Sequence, residues 1–166
     1  MVKPKIDFTP ESKKLISDLL RAGKVDLRGS FNTIAVGYRK EVKAIFNKQQ
    51  PRAQGERWQP LNDNYKRYKD LRYPGTGILE RTGALKRSMT QKGAIGNITF
   101  ISSIKAIFGS SLSYGVYHDE GTSKTPQRNF SIPSDRRLDI FKNNIEDDII
   151  KQLRFQGIEV KKGLFV

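Results

Sequence analysis

Apolar positions recur at steps of three and four along "DLRGSFNTIAVGYRKEVKAIFNKQQ", residues 26–50. Phe31, Ile34, Ala35, Tyr38, Val42, Ile45 and Phe46 share one face, while Arg39, Lys40 and Lys43 fall mostly elsewhere, a pattern that predicts an amphipathic helix of about four turns. Gly37 inside it costs about 1 kcal/mol relative to alanine. A second long helix is predicted in "PSDRRLDIFKNNIEDDIIKQLRFQG", with Ser134 as cap, Pro133 just before it, and Leu138, Phe141, Ile145, Ile149 and Leu153 on one face. A shorter helix near the amino terminus starts at Thr9 and Pro10, carries Leu15, Ile16, Leu19 and Leu20, and stops at Gly23.

Alternation replaces the helical period after residue 95. "GNITFISS" and "SIKAIFGSS" are short, β-branched and aromatic, and little more than a serine pair separates them, so a hairpin is expected. Three short pieces complete the pattern. "ILERTGALKRSM" uses Thr82 as cap for a helical turn through Leu85 and Met89. "SYGVYHDEG" is too short for a core helix and stops at Gly121, and "PQRNFSI" is extended. Residues 51–77 form an irregular arm with one short helix near Asp63 to Leu71. The sum is an α+β fold in one domain, residues 1–166, with two long amphipathic helices packed on a small antiparallel sheet. Residues 1–24 are an N-terminal helix, residues 25–157 the core, and 158–166, "IEVKKGLFV", an edge strand or a partner-binding extension.

Composition narrows the chemistry. The 166 residues include no cysteine and one histidine, which removes disulfides, thiol catalysis, thiolate metal sites and multi-histidine metal sites within one chain. No cofactor is expected. No run of apolar residues has the length of a signal core or a membrane span, so the chain reads as soluble, without a signal sequence or a membrane partner. The net charge of +14 is concentrated in front, where residues 1–93 hold 21 of the 31 Lys and Arg and 9 of the 17 Asp and Glu, net +12. That field favours phosphate backbones or acidic protein surfaces.

In the arm, Trp58, Tyr65, Tyr68 and Tyr73 interleave with Lys66, Arg67, Lys69 and Arg72. Such a mixture can stack on and neutralise single-stranded nucleic acid, or Trp58 and Leu61 can pin the loop to the core while the bases stay in water. His118 invites a catalytic reading, but no G-x-S-x-G elbow accompanies it. Asp119, Glu120, Asp147 and Asp148 are candidate ligands for a carboxylate-metal nuclease, at no spacing that recommends it. "GTSKT" at 121–125 has Ser123 where a phosphate-binding loop needs glycine.

The order of the pieces is more informative than any one of them. Gly55, Trp58, Pro60 and Leu61 are followed by Leu79, Thr82, Gly83, Leu85 and Ser88, then by Tyr114, His118 and Gly121, then by Pro126, Arg128 and Phe130. This succession resembles the virion morphogenesis, or tail completion, proteins of tailed bacteriophages, over about residues 25–155. Gly115 stands where the family has a small alanine, and Tyr117, Asp119 and Glu120 make the short helix unusually polar.

The resemblance implies a non-enzymatic structural protein at the virion neck or tail end, assembled in the host cytoplasm. It also implies a closed, sixfold ring joining a head connector or head-closure protein to a tail terminator or tail tube. Within that reading Thr82, Gly83, Leu85, Tyr114, His118 and Gly121 are fold signatures, with His118 expected to hydrogen-bond the loop turned by Gly121. Trp58, Pro60, Leu61, Arg128 and Phe130 are expected at the interface or arm. Arg57, Lys66, Arg67, Lys69, Arg72, Lys86 and Arg87 are expected to face acidic neighbours or DNA in the lumen. The alternative is a nucleic-acid-binding accessory protein of phage assembly.

Overall fold

The predicted apolar face of the first long helix is the one that is buried. A computed structural model describes residues 14, 17–19, 23, 25–50 and 57–158. In it α1 (Arg28–Lys48) buries Ile34, Ala35, Tyr38, Val42, Ile45 and Phe46. Phe31 is half-buried, and two polar residues missing from the apolar pattern, Ser30 and Glu41, are buried too. α1 ends with Gln49 at φ 53° and the Gln50 N–H donating to the Ile45 carbonyl at 3.3 Å. This is the helix stop that glycine usually supplies.

The other elements are α2 (Asp63–Arg72), α3 (Ala84–Thr90), β1 (Asn97–Ile101), β2 (Ala106–Ser110), α4 (Tyr114–Asp119) and α5 (Asp135–Phe155). β1 and β2 form a two-stranded antiparallel sheet. The fold is therefore α+β, as the periodicities indicate. The Ser102 N–H donates to the Lys105 carbonyl at 2.8 Å, and the Ser102 hydroxyl accepts from the Ile104 and Lys105 N–H groups. The serine pair thus builds the turn it was expected to build.

The described residues divide into two compact units. Residues 37–50, 57–99 and 108–134 make the first; residues 25–36, 100–107 and 135–158, with 14, 17–19 and 23, make the second. In the second, α5 buries Phe141, Ile145, Ile149, Ile150 and Leu153, while Leu138 is half-buried. Gln152 ties residue 26 to this helix twice, accepting the Asp26 N–H and donating to its carbonyl, each at 2.8 Å. The Ser30 hydroxyl donates to Asp148. Asp26 is also held by Arg28, whose guanidinium lowers the carboxyl pKa from its ordinary value. The Leu27 N–H donates to Ser103 in the hairpin turn at 3.0 Å.

In the first unit α1 packs on the hairpin through Tyr38, whose ring stacks on Phe108 at 5.7 Å, and through Arg39, which donates to Thr99. Of the expected N-terminal helix, Lys14 and Ser17 to Leu19 are helical, and Gly23 has the φ of 66° suited to a stop. Thr9, Pro10, Leu15, Ile16 and Leu20 lie outside the described residues, as do Gly55 and the tail beyond Ile158. Ser134 does not act as the predicted cap alone: its hydroxyl and N–H both donate to the buried Glu41 carboxylate, at 3.1 and 3.4 Å.

Candidate interaction site

All four motif segments meet within the first unit. α4 is a single short helix, too short to stand without tertiary support. The Arg128 N–H donates to the His118 carbonyl at 2.7 Å, which folds the extended segment back along α4. Gly121 makes that return possible. Its φ is 77°, and a Cβ there would come within 2.9 Å of the Gln127 nitrogen, so both the backbone angle and the space call for glycine.

Asp119 locks the far end of the return. One carboxylate oxygen accepts from the N–H groups of Phe130 and Ser131 at 2.9 and 3.1 Å; the other accepts from the Ser131 hydroxyl. Both oxygens are engaged in holding the return. Among the described residues no three His, Asp or Glu side chains converge to hold a metal ion. Tyr38 adds a further tie, its hydroxyl donating to the Ser131 carbonyl at 3.0 Å. Burial, then the nearby Asp119 charge, hold the Tyr38 phenol far above its ordinary pKa.

The same segment threads against the residues after α1. Arg128 is 4% exposed and donates through Nε and Nη2 to the Gln59 carbonyl at 3.3 and 3.1 Å. Trp58, 5% exposed, donates its ring N–H to the Asn129 carbonyl at 3.2 Å, and its backbone N–H to Gln49 at 2.7 Å. Between them Phe46 meets Trp58 edge-on at 5.7 Å and Phe130 at a tilt at 5.4 Å. The surface roles expected of Arg128 and Phe130 are therefore corrected, and of the two readings open for Trp58 it is the pin to the core that the structure shows: all three are inside the chain's own unit. An apolar body with one donor at its rim suits burial against a carbonyl as well as it suits a partner. Pro60 is exposed and Leu61 half-buried.

α3 closes the cluster. Leu85, Ser88 and Met89 are buried, and Ser88 shares a 2.8 Å hydrogen bond with Ser110 while its carbonyl accepts from Asn97 at 2.7 Å. The cap is shifted by one residue from expectation. Gly83, at φ 69°, is the N-cap without a side-chain bond, and the Thr82 hydroxyl accepts only the Ala84 N–H at 3.4 Å. Gly115 has a packing reason as well, since a Cβ there would lie 3.2 Å from Leu85 Cδ1.

His118 differs from expectation in how it acts. Its backbone carbonyl, not its ring, holds the loop. Nδ1 is buried with no hydrogen-bond partner. Burial first and the Arg128 charge second lower its pKa from the ordinary histidine value, so the ring is neutral at neutral pH. Tyr114, one turn earlier, meets it edge-on at 6.4 Å but is itself exposed.

The basic residues separate into two groups. Arg57, Lys66, Arg67, Arg72 and Arg87 are exposed, whereas Lys69 and Lys86 are corrected to internal ties. Lys69, 3% exposed, donates to the Thr76 carbonyl, the Thr76 hydroxyl and the Gly77 carbonyl at 2.6, 2.9 and 2.7 Å. Burial lowers its pKa, with Asp70 and Glu80 acting in the opposite direction. Lys86 pairs with Glu80 at 2.8 Å and donates to Asn47 at 2.9 Å. The sequence does not single out Asp119, Glu41 or Gln49 for these tasks.

Residues 9–153 match the phage virion morphogenesis family. No curated protein and no solved structure matches the chain.

Proposed function

Since the chain belongs to the phage virion morphogenesis family, we propose that its role in virion assembly is that of a tail completion or neck protein. In this reading copies of the chain form a closed ring, sixfold in symmetry, between the head connector and the tail, through heterologous contacts that return on themselves. The ring acts by binding and positioning, not by catalysis.

The observation that carries the reading is where the chain spends its aromatic and basic side chains. Trp58, Leu85, Ser88, Arg128 and Phe130 of the motifs are buried inside one unit, while other large side chains remain outside: Tyr65, Tyr68 and Leu71 on α2, and Tyr114, Val116 and Tyr117 on α4. Exposed large side chains of this kind, beside exposed bases on a chain of net charge +14, suit a component that other proteins cover. The alternative, a nucleic-acid accessory protein that stacks bases on Trp58, loses its main platform because Trp58 is buried. The exposed bases Arg57, Lys66, Arg67, Arg72 and Arg87 remain available to an acidic neighbour or to DNA in the lumen.

Quantitative mass spectrometry of purified virions, calibrated against the major capsid protein, tests the proposal together with antibody labelling in the electron microscope. A few copies per particle, labelled where head meets tail, are expected. Absence from mature particles, or a copy number comparable to capsid protein, would overturn it.

A further inference from the structure

We infer that the outer face of α2 is a docking surface for an acidic, partly apolar protein surface, and that this face, not the motif cluster, is where the chain meets its assembly partner. It rests on the assembly reading in one respect, that the partner is another virion protein.

Three observations converge on α2. Tyr65, Tyr68 and Leu71, spaced by three, are 41, 51 and 87% exposed, and the two tyrosine rings lie against one another at 6.2 Å. Exposed Lys66, Arg67 and Arg72 flank them. In the surrounding segment, residues 57–92, seven Lys and Arg are exposed against two Asp, net +5 at the surface, so the complementary surface is acidic. Tyrosine and arginine are also residue types enriched among those that dominate binding energy at protein interfaces.

Both ends of the helix are tied to the chain beside it. The Asn62 side chain accepts the Asn64 N–H at 3.0 Å at its start. At its end the buried Lys69 ammonium grips Thr76 and Gly77, and the Arg81 guanidinium lies 5.7 Å from the centre of the Tyr73 ring. A preorganised helix spends little binding energy on ordering. Nucleic acid fits this face less well. Asp63 and Asp70 interrupt the bases on the same exposed helix, and Leu71, its most exposed large apolar side chain, offers a phosphate nothing.

A photocrosslinking experiment in infected cells decides the matter. The full chain with Tyr68 replaced by p-benzoylphenylalanine is supplied to a phage lacking its own copy, irradiated during assembly, and its conjugates are identified by mass spectrometry. The expected product is a conjugate to a different virion protein at an acidic segment. Its yield should fall roughly tenfold when Lys66→Glu, Arg67→Glu and Arg72→Glu are combined, and Arg67→Glu alone serves if the triple variant fails to fold. Conjugation to DNA, conjugation to a second copy of this basic chain, or no conjugate at all would each overturn the inference. The neck assignment fails separately. A chain labelled at the neck with α2 unconjugated sinks the docking surface alone, whereas a conjugate to an acidic virion protein with no label at the neck sinks the neck assignment alone.

Discussion

The cluster around Trp58 and the outer face of α2 lie only a few residues apart in sequence, and each carries aromatic and basic side chains. In the cluster three such groups have internal partners: Trp58 an asparagine carbonyl, Arg128 the carbonyls after Trp58, Phe130 the ring of Phe46. On α2 the Tyr65, Tyr68 and Leu71 side chains stay open to solvent. Residue type alone does not separate a recognition surface from a structural joint. What separates them is whether a backbone carbonyl waits at the rim of the side chain, because a buried donor without one costs about 1–3 kcal/mol.

The comparison breaks most readily at Trp58. Trp58→Ala removes the edge contact with Phe46 and leaves the Asn129 carbonyl unpaired, and a loss of about 3–5 kcal/mol is expected in urea unfolding. A loss below about 1 kcal/mol would mean that the cluster is not the joint described. Asp119→Ala, which strands the Phe130 and Ser131 N–H groups, should cost about 1–3 kcal/mol by the same measurement.

A pH series sharpens the role of His118. Its folded-state pKa lies below the ordinary histidine value of 6.5, so the unfolded chain takes up the proton first. This contribution to stability is complete above that value and is lost as pH falls from it toward the lower folded-state pKa. Wild type should therefore lose more stability between neutrality and pH ~5.5 than His118→Gln does, and parallel curves would show that the ring does not feel its surroundings. The smallest effect belongs to the other region. Tyr68→Ser with Leu71→Ser should change unfolding free energy by less than about 0.5 kcal/mol per site, while assembly of infectious particles suffers.

How much of this could be read from the chain alone depended on the kind of signal. The faces of α1 and α5 and the hairpin were legible because burial follows a fixed period, and the helix expected near Asp63 to Leu71 is α2, Asp63–Arg72. The motif order pointed to the family that residues 9–153 match. Trp58 was half legible, since its sequence context left both a pin to the core and a stacking platform open; the direction in which Arg128 and Phe130 face was not legible, because an extended segment with no paired strand has no period to read. Gln49 was hidden for another reason: its φ of 53° is a glycine-like angle on a residue that gives no hint of it. Lys69 and Lys86 looked like their exposed neighbours Lys66 and Arg87, since nothing in a run of bases marks the one that turns inward.

The inward turn of Lys69 has a chemical consequence. An ammonium 3% exposed, its three protons donated to oxygens of Thr76 and Gly77, is out of reach of an acylating reagent until α2 lifts from its loop. Lys66, three residues earlier on the same helix, is exposed and within reach of the reagent. The ratio of labelling rates at the two positions is thus a clock internal to the chain. It reads how often α2 opens, and a particle-bound copy in which both lysines fall silent would report that the outer face has been covered as well.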